Sequence, residues 1–211
     1  MKKDLQESKL FTPYQMGPVT LRNRVIRSAA FESMGKDFAP TQDLKDYHVS
    51  VARGGVGMTT LAYASINRSG VSFNSQLWLR DEIVPQLKDI TDAVHAEGAA
   101  VGIQIGHCGN MTHWSTAGSF PVSASNGFNL YSPTFHRRMS HAEIAQTAKD
   151  FGKAVYTAHE AGFDSVEVHA GHGYLISQFL SPWTNRRRDE FGGSLENRMR
   201  FMKMCLTEVM E

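Results

Sequence analysis

The run from Val166 to Phe201, VEVHAGHGYLISQFLSPWTNRRRDEFGGSLENRMRF, decides the fold and points to the chemistry. It is entered through Ser165-Val166-Glu167-Val168, which reads as a short buried strand bounded by Gly162 and Gly171. His169, His172 and Tyr174 follow where that strand ends, and in α/β folds strand ends are where ligand-facing side chains collect. Two imidazoles and a phenol so close in sequence can give several hydrogen bonds to one polar atom of a ligand. The competing reading of any one of them is an ordinary solvated or internally satisfied side chain, the commonest state of a lone histidine.

Working outward, 211 residues suit one domain with a sizeable core. A hydrophobic share of 41% and a charged share of 20% are ordinary for a globular protein. The net charge of +1 gives no reason to invoke nucleic acid or a membrane surface. The basic cluster Arg186-Arg187-Arg188 runs straight into Asp189 and Glu190 and reads as a solvated, ion-paired turn. Cys108 and Cys205 are too few for a disulfide framework, and Cys205 falls in an apolar helical pattern that places it in the core. MKKDLQESKLF has no apolar centre for a signal peptide, and no run is long enough to span a membrane, so the expected location is the cytoplasm.

Residues 1–24 read as a lead-in containing an extended segment and a tight turn. Strand candidates follow at Val25–Ala30, Val56–Ala64, Ala99–Ile105 and 165–168. The helices between and after them run from the N-cap Thr41 to about Ala52, from Ile83 to Glu97, from Ser140 to Ala161, and from Leu195 to Met210 behind Ser194. About 107–139 lies a long polar excursion, the length of a functional lid or binding loop. The order βαβαβαβα predicts a parallel sheet covered by helices. A (β/α)8 barrel needs eight such units and typically about 250 residues, and this sequence supplies half of them.

His169 to Leu175 (HAGHGYL), Gln178 to Pro182 (QFLSP), Asn185 to Ser194 (NRRRDEFGGS) and Glu196 to Arg198 (ENR) match one signature in order and without a gap. The stretch resembles the Old Yellow Enzyme family of NADH:flavin oxidoreductases and ene-reductases. Leu10-Phe11-Thr12-Pro13 and Leu21-Arg22-Asn23-Arg24 resemble the opening of the same family, so the likeness covers essentially the whole chain.

The resemblance implies a TIM-type barrel, of which the chain holds the first four βα units. It also implies FMN at the C-terminal face of the strands, NAD(P)H as reductant and a small-molecule substrate. Ser28, Ala29, Ala30 and Phe31 would lie along the flavin, with Ala64 near its pyrimidine edge and Gln104 hydrogen-bonded to that edge. Gln104 stands between Ile103 and Ile105, where an amide needs a partner. His169 and His172 would hold the oxygen of an electron-withdrawing group while hydride passes from flavin to the alkene, and Tyr174 would donate the proton. The expected partner is the remainder of the barrel or a second copy, because four units leave open strand edges and an expected apolar inner face.

Departures from the family pattern are His107-Cys108-Gly109-Asn110, where relatives read His-Ala-Gly-Arg, and Phe31, where relatives place Thr or Cys beside the flavin. The family's arginine on the fifth strand and its phosphate site have no counterpart in these residues. Two other readings compete. His107, His169 and His172 could be imidazole ligands of a hydrolytic metal site, although such sites usually add carboxylates. The chain could also be a non-catalytic half-barrel that serves assembly.

Overall fold

The computed structural model describes residues 8–211, so the first seven residues of the expected lead-in lie outside the described residues. The rest of the lead-in is a hairpin, β1 (Tyr14–Met16) and β2 (Val19–Leu21), turned at Gly17 with φ +56°. Then come β3 (Ile26–Arg27), α1 (Gln42–Arg53), β4 (Met58–Ser65), β5 (Leu77–Trp78), α2 (Val84–Ala96) and β6 (Ala100–Gly106). The excursion holds α3 (Trp114–Ala117), β7 (Val122–Ser123), β8 (Gly127–Asn129) and β9 (Thr134–Arg138). The chain continues through α4 (His141–Glu160), β10 (Ser165–Val168), α5 (Leu175–Leu180) and α6 (Leu195–Met210). Thr41, Ser140 and Ser194 each accept a backbone N–H of the helix they start, and at α4 Glu143 completes a capping box.

The main sheet has the order β10-β6-β4-β3, parallel throughout, with β5 added beside the end of β4. This is the order of four consecutive βα units wound as in a barrel that has not closed. Leu61, Val101, Ile103 and Ile105 on the outer face pack with Leu87, Ile90 and Val94 of α2 and Ile144, Ala148 and Phe151 of α4, forming the apolar core. Fully burying each such side chain contributes about 1.5–3 kcal/mol. Cys205 lies in this core, as expected.

Several sequence expectations are corrected. The inner face is not apolar. Gln104 pairs across with Glu167, and a Cβ placed on Gly102 would lie among Ser165 and Thr60, so this face carries polar and small side chains. Strand 165–168 is not buried either: Glu167 is exposed and its neighbours are half-buried, because β10 is paired on one side only. The first strand is two residues long rather than six, since the chain leaves the ladder after Arg27. The excursion is structured, with the three strands ordered β7-β9-β8 and Phe128 paired across from Phe135. Such short strands carry too few residues for a periodic signal.

Candidate functional site

His169 leaves the end of β10 with its N–H donating to Ile105 O, which carries the parallel ladder one residue past the strand. A Cβ on Gly106 would stand 3.1 Å from His169 Cβ, so the glycine lets the imidazole lie against β6. The chain then turns through His172 (φ +54°) and Gly173 (φ +70°). A left-handed non-glycine residue is uncommon and mildly strained. The turn points His172 back: its Nδ1 lies 3.1 Å from His169 Nε2. Tyr174 follows as the residue capping α5, its ring centroid 4.9 Å from that of His169 and edge-on to it. Burial, and then the neighbouring His172, hold the His169 imidazole below its ordinary pKa. At neutral pH it is an uncharged hydrogen-bonding group.

Two residues that the sequence reading did not single out complete this arrangement. Tyr63, within the buried β4, puts its ring 5.7 Å from His169 and 5.1 Å from Tyr174, and its hydroxyl is 2.6 Å from Ser72 Oγ. Burial raises this phenol well above its ordinary pKa, so it stays protonated. Gln178 staples two loops. Its Nε2 donates to Cys108 O at 3.0 Å and Gly173 O at 2.7 Å, and its Oε1 accepts from Asn110 N at 3.2 Å. The QFLSP motif named Gln178, but nothing local in the sequence shows that it reaches back to the loop after β6.

The residues expected along a flavin are distributed unevenly. Residues 28–31 follow β3 with Ser28, Ala30 and Phe31 exposed. Outside the strand ladder, their backbone makes one hydrogen bond among the described residues, from Arg27 Nη2 to Ala30 O at 3.0 Å. Phe31 stacks on Phe73 with ring centroids 5.0 Å apart. Ala64 is 1% exposed and packs in the apolar core, so its methyl group faces away from the site and Tyr63 reaches the site instead. Gln104 uses one of its two amide N–H groups on Glu167 Oε1 at 2.5 Å. Backbone groups of 28–31 without other partners, the oxygen of the Gln104 amide and the face of Phe31 are groups of the kind that a flavin ring system engages.

His107 does not join His169 and His172. Gly109 N–H donates to its Nδ1 at 3.0 Å and Ser69 Oγ lies 3.2 Å from its Nε2, so both ring nitrogens are engaged away from the pair. Burial brings this imidazole down to about 4. Among the described residues, the grouping with metal-ligand spacing is His141, Asp189 and Glu190, where Asp189 is already taken by Arg187. Arg187 corrects the reading of 186–188 as a solvated turn. It is 5% exposed and donates to Ala124 O, Met139 O and both carboxylate oxygens of Asp189. Burial alone would raise the Asp189 carboxyl, but the Arg187 hydrogen bonds bring it to about 2. No helix among the described residues is long and apolar enough to cross a membrane.

Residues 9–211 match the NADH:flavin oxidoreductase / NADH oxidase family. The chain is 36% identical over 200 residues to the 4,4'-dithiodibutanoate disulfide reductase of Rhodococcus erythropolis, covering 95% of this chain and 50% of that protein. It is 37% identical over 208 residues to the NADPH dehydrogenase of Listeria welshimeri, covering 97% of this chain and 60% of that protein. Its fold superposes on the solved Old Yellow Enzyme homologue of Zymomonas mobilis with a TM-score of 0.89 at 30% identity, over 96% of this chain and 60% of that one. The chain thus spans between half and three-fifths of the length of these relatives. FMN and NAD(P)H, the cofactor and reductant expected from the sequence, are those of this group. Sequence, strand order and superposition agree that the chain belongs to the NADH:flavin oxidoreductase / NADH oxidase family and comprises the first four βα units of an Old Yellow Enzyme-type barrel.

Proposed function

We propose that the protein reduces an activated, enone-like alkene at the expense of NAD(P)H, with His169, His172 and Tyr174 acting on the substrate. The observation that carries this reading is the hydrogen-bonded imidazole pair, 3.1 Å apart, with a phenol against it at the end of a barrel strand. One imidazole N–H is used within the pair. With both rings neutral, one N–H remains, on the ring that accepts within the pair, to donate to the carbonyl oxygen of the substrate, and such a preorganised donor stabilises the negative charge that grows there as the alkene is reduced. Bound FMN supplies the hydride chemistry. Tyr174 would deliver the proton to the carbon next to the carbonyl, a general-acid role open to a phenol held in position. Tyr63, buried and hydrogen-bonded to Ser72, supports the Tyr174 ring.

Ser28, Ala29, Ala30 and Phe31 would hold the flavin ring through backbone groups and the Phe31 face, and Gln104 would meet it with its amide oxygen. The phosphate end would be held by the other half of the barrel. The test is a purified, yellow protein assayed with NADPH and 2-cyclohexenone by stopped flow. Tyr174→Phe should slow reoxidation of the flavin by the enone and leave its reduction by NADPH nearly intact. Equal slowing of both half-reactions would refute the role given to Tyr174.

A further inference from the structure

The departure of the chain from the sheet after Arg27 is stabilised by a buried ionic cluster. β3 pairs with β4 only at Ile26 with Met58 and Arg27 with Thr59. A longer β3 would have engaged the Thr60 carbonyl and the Ala62 N–H, which share one side of β4 because strand groups alternate. Side chains do this instead. Arg27 Nη1 donates to Thr60 O at 2.5 Å, and Ala62 N–H donates to Glu32 Oε2 at 3.2 Å. The two side chains also meet, Arg27 Nη1 to Glu32 Oε1 at 2.7 Å, with only 17% and 4% of their side chains exposed. From α1, His48 adds a contact of 3.1 Å to Glu32 Oε1 and one of 2.8 Å to Thr59 Oγ1.

A buried backbone group without a partner costs free energy comparable to a lost hydrogen bond, so something must replace the missing ladder. A buried ion pair is a poor way to gain stability alone, because apolar residues of similar volume often do as well. What this pair adds is a fixed path. The chain is released from β4 at Ser28 and caught again at Glu32, and Arg27 Nη2 holds the Ala30 carbonyl in between. We infer that Glu32 is a positioning residue: with Arg27 and His48 it stands in for the missing strand pairing and so sets the course of the four residues that would cradle the flavin ring. What occupies the cradle rests on the function proposed above, but the geometry of the cradle does not.

Glu32→Gln tests this in the purified protein, since glutamine keeps the volume and can still accept from Ala62 but cannot neutralise Arg27. The control is Asp189→Asn, which removes the partner of a more deeply buried arginine elsewhere. E32Q should raise the Kd for FMN about tenfold, the scale of one charge-assisted hydrogen bond, and shift the visible band of the bound flavin. It should also speed tryptic cleavage after Arg27, whose side chain it frees. D189N should lower the unfolding midpoint and leave FMN affinity and the Arg27 cleavage rate in place. Equal changes in both variants, or an E32Q protein with unchanged affinity, spectrum and cleavage, would overturn the inference. If E32Q does not fold, the apolar double variant R27M/E32M is read by its FMN affinity and visible flavin band alone, since trypsin does not cut after methionine. Should the unsubstituted protein take up no FMN, the proposed function fails, while the cleavage rate at Arg27 still decides the positioning role.

Discussion

Lowering the pH should destabilise the fold through His107, and the size of the effect follows from its surroundings. Its Nδ1 accepts from Gly109 N–H, so the neutral ring carries its proton on Nε2, toward Ser69 Oγ. Protonation would put a second N–H against the Gly109 donor, in a place where the ring is 2% exposed. The imidazole therefore titrates at about 4 in the fold, against about 6.5 unfolded. Because the folded value is the lower one, its contribution is fully present above the unfolded pKa and is lost as pH falls from about 6.5 toward 4. At pH 5 the unfolded imidazole is almost fully protonated and the folded one is about one-tenth protonated, which gives a loss of about 2 kcal/mol relative to pH 7.5. Urea unfolding at pH 7.5 and 5.0 should show this loss. His107→Asn, which can still accept from Gly109 but does not titrate, should show correspondingly less. His136 and His169, also held below their ordinary values, act with the same sign in both proteins and cancel in the difference. Parallel losses in the two proteins would refute the assignment to His107.

His169→Ala should weaken binding of phenols, whose oxygen can take the carbonyl position, by more than tenfold, or about 1.4 kcal/mol; an unchanged Kd in a flavin-absorbance titration would count against the oxygen site. Gln178→Leu removes a side chain that makes three hydrogen bonds between the loops after β6 and β10, and should cost about 2–4 kcal/mol by denaturant titration. A loss below about 0.5 kcal/mol would mean that the staple is dispensable. The 211-residue chain by itself should self-associate through its open β10 edge, and light scattering of an eluted peak should report more than the 23.5 kDa of one chain. A stable monomer at tens of micromolar would contradict that expectation.

Much of the fold was legible because its signals are local. Thr41, Ser140 and Ser194 marked three helix starts to the residue, since an N-cap is a property of a few adjacent positions. The runs at 58–65 and 100–106 were readable as strands because each is a short, uncharged stretch of small, β-branched and apolar residues that begins just after a glycine turn. The alternation of strands and helices then determined the parallel order, and the uninterrupted motif from His169 to Arg198 determined the family.

Other features depended on partners distant in sequence, which no local pattern encodes. Arg187 was read as solvated because its neighbours in sequence are charged, but its carbonyl partners at Ala124 and Met139 come from the excursion and bury it. Ala64, expected beside the flavin, turns into the core and Tyr63, of which nothing was expected, reaches His169 and Tyr174, because the β4–β6 register shifts between Leu61 and Ala64, and a shift of that kind re-aims the side chains on either side of it. Glu32 and His48 carry no motif, and they meet only once α1 is laid against β4. By itself the sequence determined the elements, their parallel order and the identity of the imidazole pair. Only the tertiary structure decided which polar groups satisfy one another, because a buried polar group takes its partner from whatever the packing brings within about 3 Å, however far away in the chain.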